Sequence, residues 1–382
     1  MRMLVLGRGL QGSACAYDLL QNPDVTEVRL ADVHVDHLPE FLAPYSGKRL
    51  IPTRLDVRDA EATAAVMRES DAVMSAIPYY FNFELAQLAV ESGVHFCDLG
   101  GNTEIVFQQK ELDGRARAAG VTIVPDCGLA PGMVNILAQY GISQLDHVTS
   151  VKIFVGGLPQ HPEPPLNYQI VYSLEGVLDY YTTLSWVLRD GQRHQVKALS
   201  EREAVSFPPP VGTLEAFHTA GGLSTLAFRY EGKIPTMEYK TLRYPGHAHI
   251  MEAIRDLGLL DLTPVDIKGT RVIPRDVVVG VVGPRLTHPR GKDLVAMRVI
   301  VEGTLDGSPV RTAWELLDYF DAARGISAME RTTGYSLSIT GQMQVRGDIT
   351  PSGVHTPDEC VPAPKYIAEL ARRGVNIREL KN

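Results

Sequence analysis

The sequence is poor in cysteine, in tryptophan and in long apolar runs. Its 382 residues include four cysteines and two tryptophans. Cys15, Cys97, Cys127 and Cys360 form no CxxC pair and no spacing typical of a zinc site, so we expect reduced thiols in a cytoplasmic protein. No stretch approaches the roughly 20 consecutive apolar residues that a membrane helix requires. The apolar run before Gly7 is also too short for a signal peptide.

Basic residues are outnumbered by acidic ones, 37 against 45, which gives a formal net charge of −8. No basic block occurs along the chain, so we expect no nucleic-acid-binding surface. The GxSxG, HExxH and P-loop motifs are absent as well, which argues against hydrolase, metalloprotease and nucleoside-triphosphatase chemistry. With 45% hydrophobic residues and this length, we expect a globular protein of two or three domains.

The N-terminal segment, by contrast, carries a strand, a turn, a helix and a second strand in close succession. An apolar strand over residues 3–8 runs into Gly7-Arg8-Gly9-Leu10-Gln11-Gly12, and a helical stretch over residues 13–20 follows directly. A second apolar strand over residues 25–31 ends at Asp32, 20 residues after the last glycine of the turn. An acid at this distance behind a GxGxxG turn is typical of a Rossmann dinucleotide-binding fold.

Each residue of the turn has a physical role in such a fold. We expect Gly7 to permit the tight turn, Gly9 to let the backbone approach a pyrophosphate, and Gly12 to let the helix pack on its strand. The free N–H groups at the helix start, around Leu10 and Gln11, would meet the phosphate charge. The alternative is that the glycines make only a turn and that the following acid only caps a helix.

Asp32 predicts which nucleotide binds. Its carboxylate is placed to accept hydrogen bonds from the adenosine ribose hydroxyls, and it would repel a 2′-phosphate. We therefore expect NAD as the cofactor rather than NADP. Arg8 and Arg29 are the nearest bases that would favour NADP instead.

Alternation of strands and helices up to residue 132 predicts a doubly wound parallel sheet. Asp56 and Val57 follow the third strand, where they would flank the adenine, unless a helix N-cap begins at Arg58-Asp59. Ile77 and Pro78 end the fourth strand, at the crevice where open α/β sheets bind ligands. We predict helices over 60–69, 83–92 and 105–119, and strands over 71–77, 94–98 and 121–125.

The pattern changes past residue 132. Residues 149–155 and 268–282 are rich in β-branched residues and predict antiparallel sheet, and Asp306-Gly307 marks a hairpin between 294–302 and 310–315. Residues 316–329 and 331–343 have helical periodicity, and a last helix is expected near residues 366–373. We predict an α/β protein with a Rossmann domain over 1–132, an inserted α+β domain over 133–329, and a C-terminal segment over 330–382 that packs back on the first domain.

Several longer motifs lie downstream of the glycine turn. They are Asp98 to Gly101, Pro125 to Met133, Gly156 to Pro159, Pro164 to Tyr168, Tyr172 to Gly176, Leu214 to Leu226, Glu238 to His247 and Arg331 to Gly334. Together they resemble the saccharopine dehydrogenase-like family of amino-acid dehydrogenases, and the likeness runs essentially end to end.

The resemblance implies a small-molecule substrate and a defined reaction. That reaction is oxidative deamination of the ε-amino group of L-lysine by NAD, which gives the 6-semialdehyde and then, by cyclisation, a piperideine carboxylate. The resemblance also implies a homodimer or a higher homo-oligomer. Two alternatives stay open: a reductase that makes saccharopine or carboxynorspermidine with NADP, and a non-catalytic sensor that binds NAD.

Oxidation of an amine requires a free nitrogen lone pair, and a lysine ammonium has a pKa of about 10.4. Asp126, just past the sixth strand, is therefore the first candidate to hold the amine or to take its proton. The alternative is that Asp126 only caps the turn over residues 128–132. Tyr79, directly after the fourth strand, is a candidate to contact the substrate or the nicotinamide.

Arg243 is the candidate for the substrate α-carboxylate, because a guanidinium binds a carboxylate with two parallel hydrogen bonds. His247, four residues on, would accept a proton near neutral pH, unless it is a core or surface histidine. Tyr168 and Glu175 are candidates to line the same cleft, although packing explains Tyr168 equally well. Thr225 lies in a small-residue stretch suited to a ligand. No third ligand of suitable spacing accompanies the histidines, so we expect no metal.

Overall fold

The computed structural model describes residues 1–287 and 291–380. Its strands are β1 (Arg2–Leu6), β2 (Glu27–Asp32), β3 (Leu50–Arg54), β4 (Ala72–Ser75), β5 (His95–Asp98), β6 (Thr122–Val124), β7 (His147–Pro159), β8 (Ser185–Arg189), β9 (Gln192–Val196), β10 (Glu203–Ser206), β11 (Thr213–His218), β12 (Thr236–Arg243), β13 (Val265–Ile267), β14 (Thr270–Val272), β15 (Asp293–Leu305), β16 (Ser308–Tyr319), β17 (Gly353–Val354) and β18 (Arg378–Leu380).

Its α-helices are α1 (Leu10–Gln21), α2 (Ala60–Arg68), α3 (Asn82–Ser92), α4 (Thr103–Lys110), α5 (Asp113–Ala119), α6 (Met133–Ile142), α7 (Leu174–Thr182), α8 (Leu226–Arg229), α9 (His247–Asp256), α10 (Pro274–Leu286), α11 (Ala328–Val345), α12 (Pro357–Cys360) and α13 (Ala363–Arg372). Short 3-10 turns cover Glu40–Tyr45 and Tyr79–Phe81. Among the described residues, no helix has both the length and the apolar character needed to cross a membrane.

A parallel sheet organises the first of two compact units, which comprises residues 1–145, 224–226 and 321–378. The strand order is β17-β6-β5-β4-β1-β2-β3, and each of these neighbouring pairs is parallel. Parallel strands that are covered on both faces consist mainly of apolar residues. Residues 3–6 of β1 fit this description, since all four are apolar and buried. The order β3-β2-β1-β4-β5-β6 is that of the Rossmann fold, so the predicted fold is confirmed.

The C-terminal helix α11 packs against α1 within this unit. The two backbones approach closely at Gly334, where a Cβ atom would lie 2.7 Å from the carbonyl oxygen of Gln11. Further along the same contact, the buried carboxylate of Asp18 accepts hydrogen bonds from Ser338 Oγ and Arg373 Nε, each at 2.6 Å. A buried charge at this contact is therefore both paired and hydrogen-bonded, as burial demands.

A mixed sheet organises the second unit, which comprises the described residues within 146–223, 227–320 and 379–382. Its strand order is β10-β11-β12-β7-β15-β16-β18, with β12 and β7 parallel and the long β15–β16 hairpin antiparallel. The predicted Asp306-Gly307 turn joins the two strands of that hairpin. The sheet and its helices confirm the predicted α+β class. The two units divide near residues 145 and 320, whereas the sequence pattern predicts boundaries at 132 and 329.

Two predicted elements are wrong. Residues 268–282 do not form sheet beyond β14, because Pro274 stands at the first position of helix α10 and Asp276 lies in its first turn. Those are helix-start signals, and they outweigh the β-branched composition of the valine run. The predicted helix over residues 316–329 is not formed either, since β16 continues pairing with β15 as far as Tyr319 and helix α11 begins only at Ala328.

Candidate active site

The glycine turn has the geometry that its spacing predicts. Gly7 has a φ of 95°, and a Cβ there would lie 2.7 Å from the carbonyl oxygen of Ala76. A Cβ at Gly12 would lie 1.8 Å from the carbonyl oxygen of Gly7. A Cβ at Gly9 would meet no atom within 4 Å, so packing within the protein does not require this glycine. Its small size is useful only if something approaches the backbone from outside.

The start of α1 fits the pyrophosphate of a dinucleotide. Gly9 is the N-cap residue and offers no side-chain cap, so the first N–H groups of the helix have no partner from it. Leu10 is 53% exposed, and Oε1 of Gln11 is buried without a hydrogen-bond partner. Exposed N–H groups at a helix N-terminus form an anion-binding site. These residues would hold the diphosphate of a bound nicotinamide dinucleotide.

Asp32 lies beside this turn at the end of β2. Its carboxylate accepts hydrogen bonds from the backbone N–H of Arg8 at 2.8 Å and of His34 at 2.9 Å. The guanidinium of Arg8 donates to the carbonyl oxygen of His34, while Arg29 is ion-paired with acidic side chains. Of the two bases that would favour a 2′-phosphate, only Arg8 is therefore adjacent to the acid.

Asp56 and its neighbours follow β3. The carboxylate of Asp56 binds the guanidinium of Arg58, and this hydrogen-bonded pair lowers the pKa of Asp56 to about 2. Asp59, not Asp56, is the N-cap of α2, so Asp56 is not needed as a cap. Val57 and Ile77 pack against the apolar core of the sheet, and Pro78 is exposed. An adenine-binding role for this group stays a prediction.

Asp126 is enclosed at the end of β6. It is 2% exposed and has a φ of 65°, a left-handed conformation that is uncommon for a residue with a side chain. The hydroxyl of Ser224 donates a hydrogen bond to Oδ2, whereas Oδ1 has no partner. Gly100 lies against Oδ1, since a Cβ there would be only 1.9 Å from that oxygen. The side chain thus presents one oxygen that no described protein group uses.

The pKa of Asp126 is raised to about 8, mainly by burial; the hydrogen bond from Ser224 lowers this pKa, and the nearby carboxyl of Asp98 raises it. Asp98 is itself buried, with a pKa raised to about 6, and it accepts hydrogen bonds from Gln109 Nε2 and Gly100 N at 2.7 Å. Asp126 is therefore a neutral acid at pH 7 that becomes a proton acceptor in mildly alkaline solution. The turn over residues 128–132 does not need Asp126 as a cap, because the side chain of Asn135 accepts a hydrogen bond from the backbone N–H of Gly132.

Two further candidates lie in the first unit. The ring of Tyr79 lies against Gly101, where a Cβ would be 3.3 Å away. Thr225 is buried, but the residue before it, Ser224, makes the contact with Asp126. Sequence reasoning missed Ser224, because 98 residues separate it from its partner.

Arg243, at the end of β12, lies in a pocket of the second unit. It is 3% exposed, and its guanidinium stands 4.8 Å from the centre of the Tyr168 ring. Nη1 donates to the backbone carbonyl of Leu242 at 2.9 Å, whereas Nε has no partner. In residues 1–287 and 291–380, no carboxylate lies within ion-pairing distance of the Arg243 guanidinium. The hydroxyl of Tyr168 is also buried and has no hydrogen-bond partner. A buried, unpaired cation requires an anion, so this pocket fits a ligand carboxylate.

His247 lies beside that pocket and is 1% exposed. Its ring contacts Tyr168 at 5.4 Å between centroids, and its Nε2 is 2.9 Å from the hydroxyl of Tyr181. Burial, together with the charge of Arg243, lowers the pKa of His247 to about 3, so the imidazole is neutral at physiological pH. Glu175 is exposed in the first turn of α7. The structure therefore brings Arg243, Tyr168 and His247 together and leaves Glu175 at the surface.

A separate cluster offers atoms of the kind that bind metal ions. One ligand atom each of Glu201, His218 and Glu238 lies within 4.8 Å of the others. The guanidinium of Arg189 already bridges the two carboxylates, at 2.8 and 2.6 Å. The cluster is therefore an ion-pair network within the second unit.

Comparison with known families gives two matches. The model of the saccharopine dehydrogenase NADP binding domain matches residues 3–124, and that of the saccharopine dehydrogenase C-terminal domain matches residues 128–375.

Comparison with curated proteins and solved structures gives more distant relatives. Saccharopine dehydrogenase (NADP+, L-glutamate-forming) of Saccharomyces cerevisiae is 27% identical over 267 residues, which cover 68% of this chain and 58% of the yeast protein. Carboxynorspermidine synthase of Vibrio alginolyticus is 22% identical, over 95% of this chain and 93% of the other. The structure of apo saccharopine dehydrogenase (L-Glu forming) from Saccharomyces cerevisiae aligns over 99% of both chains with a TM-score of 0.81 and 21% identity.

Proposed function

This chain belongs to the saccharopine dehydrogenase family, and we propose that it is a lysine 6-dehydrogenase. In this proposal the enzyme uses NAD to oxidise the carbon that bears the ε-amino group of L-lysine. Hydride transfer to NAD gives an imine, and water hydrolyses this imine to the 6-semialdehyde with release of ammonia. The semialdehyde then cyclises to 1-piperideine-6-carboxylate. Membership of the family supports a pyridine-nucleotide-dependent amino-acid oxidoreductase, and the choice of lysine and of NAD rests on the site residues.

The observation that carries the choice of substrate is the state of Arg243, a buried arginine that has no carboxylate partner among the described residues. Arg243 is buried without a carboxylate partner, whereas Arg275 and Arg298 are paired with Asp179 and Glu315. One unpaired guanidinium matches one ligand carboxylate, because a buried charge is stable only when it is paired. Lysine carries one carboxylate and saccharopine carries three, so the pocket favours lysine.

The choice of NAD rests on Asp32. Its carboxylate stands at the end of β2 beside the glycine turn, where a 2′-phosphate would meet a like charge. Arg29, one of the two bases that would counter this effect, is held by Glu27 and Glu69. The matching family model is described as NADP-binding, so the preference of this chain for NAD is a specific and testable departure.

The chemistry also requires removal of a proton from the substrate ammonium. When bound, NAD supplies a hydride acceptor. Asp126 is our candidate for the proton acceptor, since its pKa of about 8 is closer to that of an amine than the pKa of an ordinary aspartate. Its unpartnered Oδ1 is the oxygen free to take that proton. A sensor that only bound NAD would have no use for such a group.

The second candidate function is a reductive synthase that joins an amine to an aldehyde with NADPH. The relatives named saccharopine dehydrogenase and carboxynorspermidine synthase support it, as does Arg8, whose backbone N–H contacts Asp32 and whose guanidinium donates to the carbonyl oxygen of His34. The two functions differ in cofactor, and lysine differs from saccharopine in the number of its carboxylates. Both differences can be measured with the purified protein.

We would follow the growth of absorbance at 340 nm at mildly alkaline pH with NAD or NADP and with L-lysine, L-ornithine, saccharopine or 1,5-diaminopentane. We expect turnover with lysine and NAD, and a KM for lysine raised about 100-fold by Arg243→Gln, the cost of a buried charged pair. Arg311→Gln changes an exposed arginine of the same unit and is the matched control. Turnover of saccharopine with NADP, and none of lysine, would establish the synthase instead. The homo-oligomer and the cytoplasmic location implied above stay predictions.

A further inference from the structure

Ser224 contacts the proposed proton acceptor directly. Its hydroxyl donates a hydrogen bond to Oδ2 of Asp126, and the two residues are buried, with 7% and 2% of their surface exposed. They lie 98 positions apart in the sequence. The contact is therefore a product of the fold, and it places a hydroxyl donor on one oxygen of the acid.

The backbone holds the acid in place. Asp126 has a φ of 65° and Ser224 a φ of 48°, and this left-handed conformation persists in residues with a side chain only where the surroundings impose it. The N–H of Asp126 donates to Oδ1 of Asp98 at 3.4 Å, and that of Cys127 donates to the carbonyl oxygen of Asp98 at 2.7 Å. Residues 126 and 127 are thus tied to the end of β5, which leaves the rotation of the carboxyl group to be set by Ser224.

The two oxygens of the Asp126 carboxyl have different surroundings. Oδ2 accepts from Ser224, whereas Oδ1 has no hydrogen-bond partner among the described residues. In a neutral carboxyl group the oxygen without the proton is the better acceptor. The hydrogen bond from Ser224 therefore places the proton of the neutral acid on Oδ1.

We propose that Ser224 is a positioning residue that holds Oδ2 of Asp126 and leaves Oδ1 to exchange a proton with the substrate amine. In that step the N–H bond of the ammonium breaks, its electron pair stays on nitrogen, and the proton forms an O–H bond with Oδ1. The hydrogen bond from Ser224 also stabilises the ionised carboxylate, the form that accepts the proton. The inference rests on the proposed function in one respect, that Asp126 takes a proton from the substrate.

Replacement of Ser224 by alanine changes one of the influences on Asp126 and leaves the charged ones in place. Burial raises the pKa of Asp126, and the hydrogen bond from Ser224 lowers it. The carboxyls of Asp98 and Asp358 also raise this pKa, and Lys110 lowers it. Without the hydroxyl we expect the pKa to rise by about one unit, as for a lost hydrogen bond to a charged group.

The first measurement is the pH profile of kcat/KM for L-lysine with NAD. For Ser224→Ala we expect the acidic limb of this profile to move up by about one pH unit. The variant is then about tenfold less active than the wild type at pH 7 and within about twofold of it at pH 10. Ser224→Ala removes a single oxygen and keeps the Cβ, so the cost of the backbone conformation at position 224 does not change.

Conservative and matched variants accompany this change. Ser338→Ala is the matched control, because its hydroxyl also donates to a buried carboxylate of the first unit, Oδ2 of Asp18, at 2.6 Å. We expect Ser338→Ala to keep the wild-type pH profile. Ser224→Cys retains a weak S–H donor and is expected to give an intermediate shift. If Ser224→Ala does not fold, Ser224→Cys decides the test.

Urea unfolding of the nucleotide-free protein follows the pKa of Asp126 without turnover. Because this pKa is higher in the folded than in the unfolded state, the free energy of unfolding falls as pH rises until the folded pKa is passed. For Ser224→Ala the fall is expected to continue to about pH 9, so the variant loses stability relative to the wild type between pH 8 and pH 9. The same replacement made in Asp126→Asn is expected to add no dependence on pH.

The two measurements separate this inference from the proposed function. A rise of the pKa in both supports the positioning role. A difference in unfolding free energy that is constant from pH 7 to pH 10, or a pKa that falls, overturns it even if lysine is oxidised. Shifted unfolding with an unmoved kinetic profile shows that Asp126 is not the proton acceptor, and the positioning role is then wrong as well. If lysine is not oxidised at all, the proposed function is wrong, and unfolding still decides whether Ser224 stabilises the carboxylate.

Discussion

Replacement of Asp126 by asparagine is expected to change how stability depends on pH. In the unfolded chain an aspartate ionises near pH 3.9, whereas burial raises the pKa of Asp126 in the folded protein to about 8. Below pH 4 the side chain of Asp126 is neutral in both the folded and the unfolded state, so its ionisation does not affect the free energy of unfolding. Between pH 4 and pH 8 only the unfolded chain gains by ionisation, so the folded protein loses stability as pH rises. Above pH 8 the loss is complete and constant.

The size of the effect follows from the same two values. The rise in the pKa of Asp126 from the ordinary value near 3.9 to about 8 corresponds to about 6 kcal/mol, at 1.36 kcal/mol per pKa unit. Asparagine has no charge to gain, so Asp126→Asn is expected to gain stability relative to the wild type by about 1.4 kcal/mol per pH unit. Between pH 5 and pH 8 the gain amounts to about 4 kcal/mol.

The assay is urea unfolding of the nucleotide-free protein, followed by far-UV circular dichroism at pH 5, 6, 7, 8 and 9. The informative quantity is the slope against pH. The amide of asparagine can still accept the hydrogen bond from Ser224. Its buried N–H groups lower the free energy of unfolding by an amount that is the same at every pH. Asp256→Asn is the matched control, since that carboxyl is exposed and Arg255 lowers its pKa. A difference between Asp126→Asn and the wild type that stays flat from pH 5 to pH 8 would show that Asp126 is ionised at neutral pH.

Three further changes test other parts of the structure. Gly9→Ala adds a Cβ that meets no atom of the protein within 4 Å, so we expect an unchanged melting temperature. We expect the Kd for NAD, measured by titration, to rise at least tenfold, and an unchanged Kd would argue against pyrophosphate binding at Gly9. Asp32→Ser is expected to reduce the preference for NAD over NADP in steady-state kinetics, and an unaltered ratio would contradict the assignment. Arg373→Ala leaves the buried Asp18 unpaired and is expected to lower the free energy of unfolding by about 3–5 kcal/mol, whereas Arg372→Ala at an exposed position has little effect.

The nucleotide-binding half of the fold could be predicted from the sequence because its signals are local. The glycine turn, the helix behind it and Asp32 lie within 26 residues, and each depends on neighbours that are close along the chain. Local signals also explain one of the two wrong elements. The valine run after Pro274 has the composition of a strand, but the proline and Asp276 decide the backbone conformation at its start.

The site residues divide in the same way. Arg243 was predicted from its chemistry, and the structure places it in a buried pocket without a carboxylate partner. Tyr181 could not have been predicted, since only the fold brings its hydroxyl to His247 across 66 residues of sequence. The environment of His247 depends on Tyr181, because the sequence motif alone does not show whether the imidazole is exposed to solvent or buried.

Asp126 shows most clearly what the sequence does not contain. Its position after β6 suggests a carboxylate near a ligand, but its protonation state is set by groups that sequence does not place beside it. Ser224 comes from a three-residue segment that belongs to the first unit while its flanking residues belong to the second. Asp98 is held by Gln109 and adds a second carboxyl to the same buried region. Because both neighbours are fixed only by the fold, the change from an ordinary acid to a proton acceptor near pH 8 is a property of the folded chain and not of the motif.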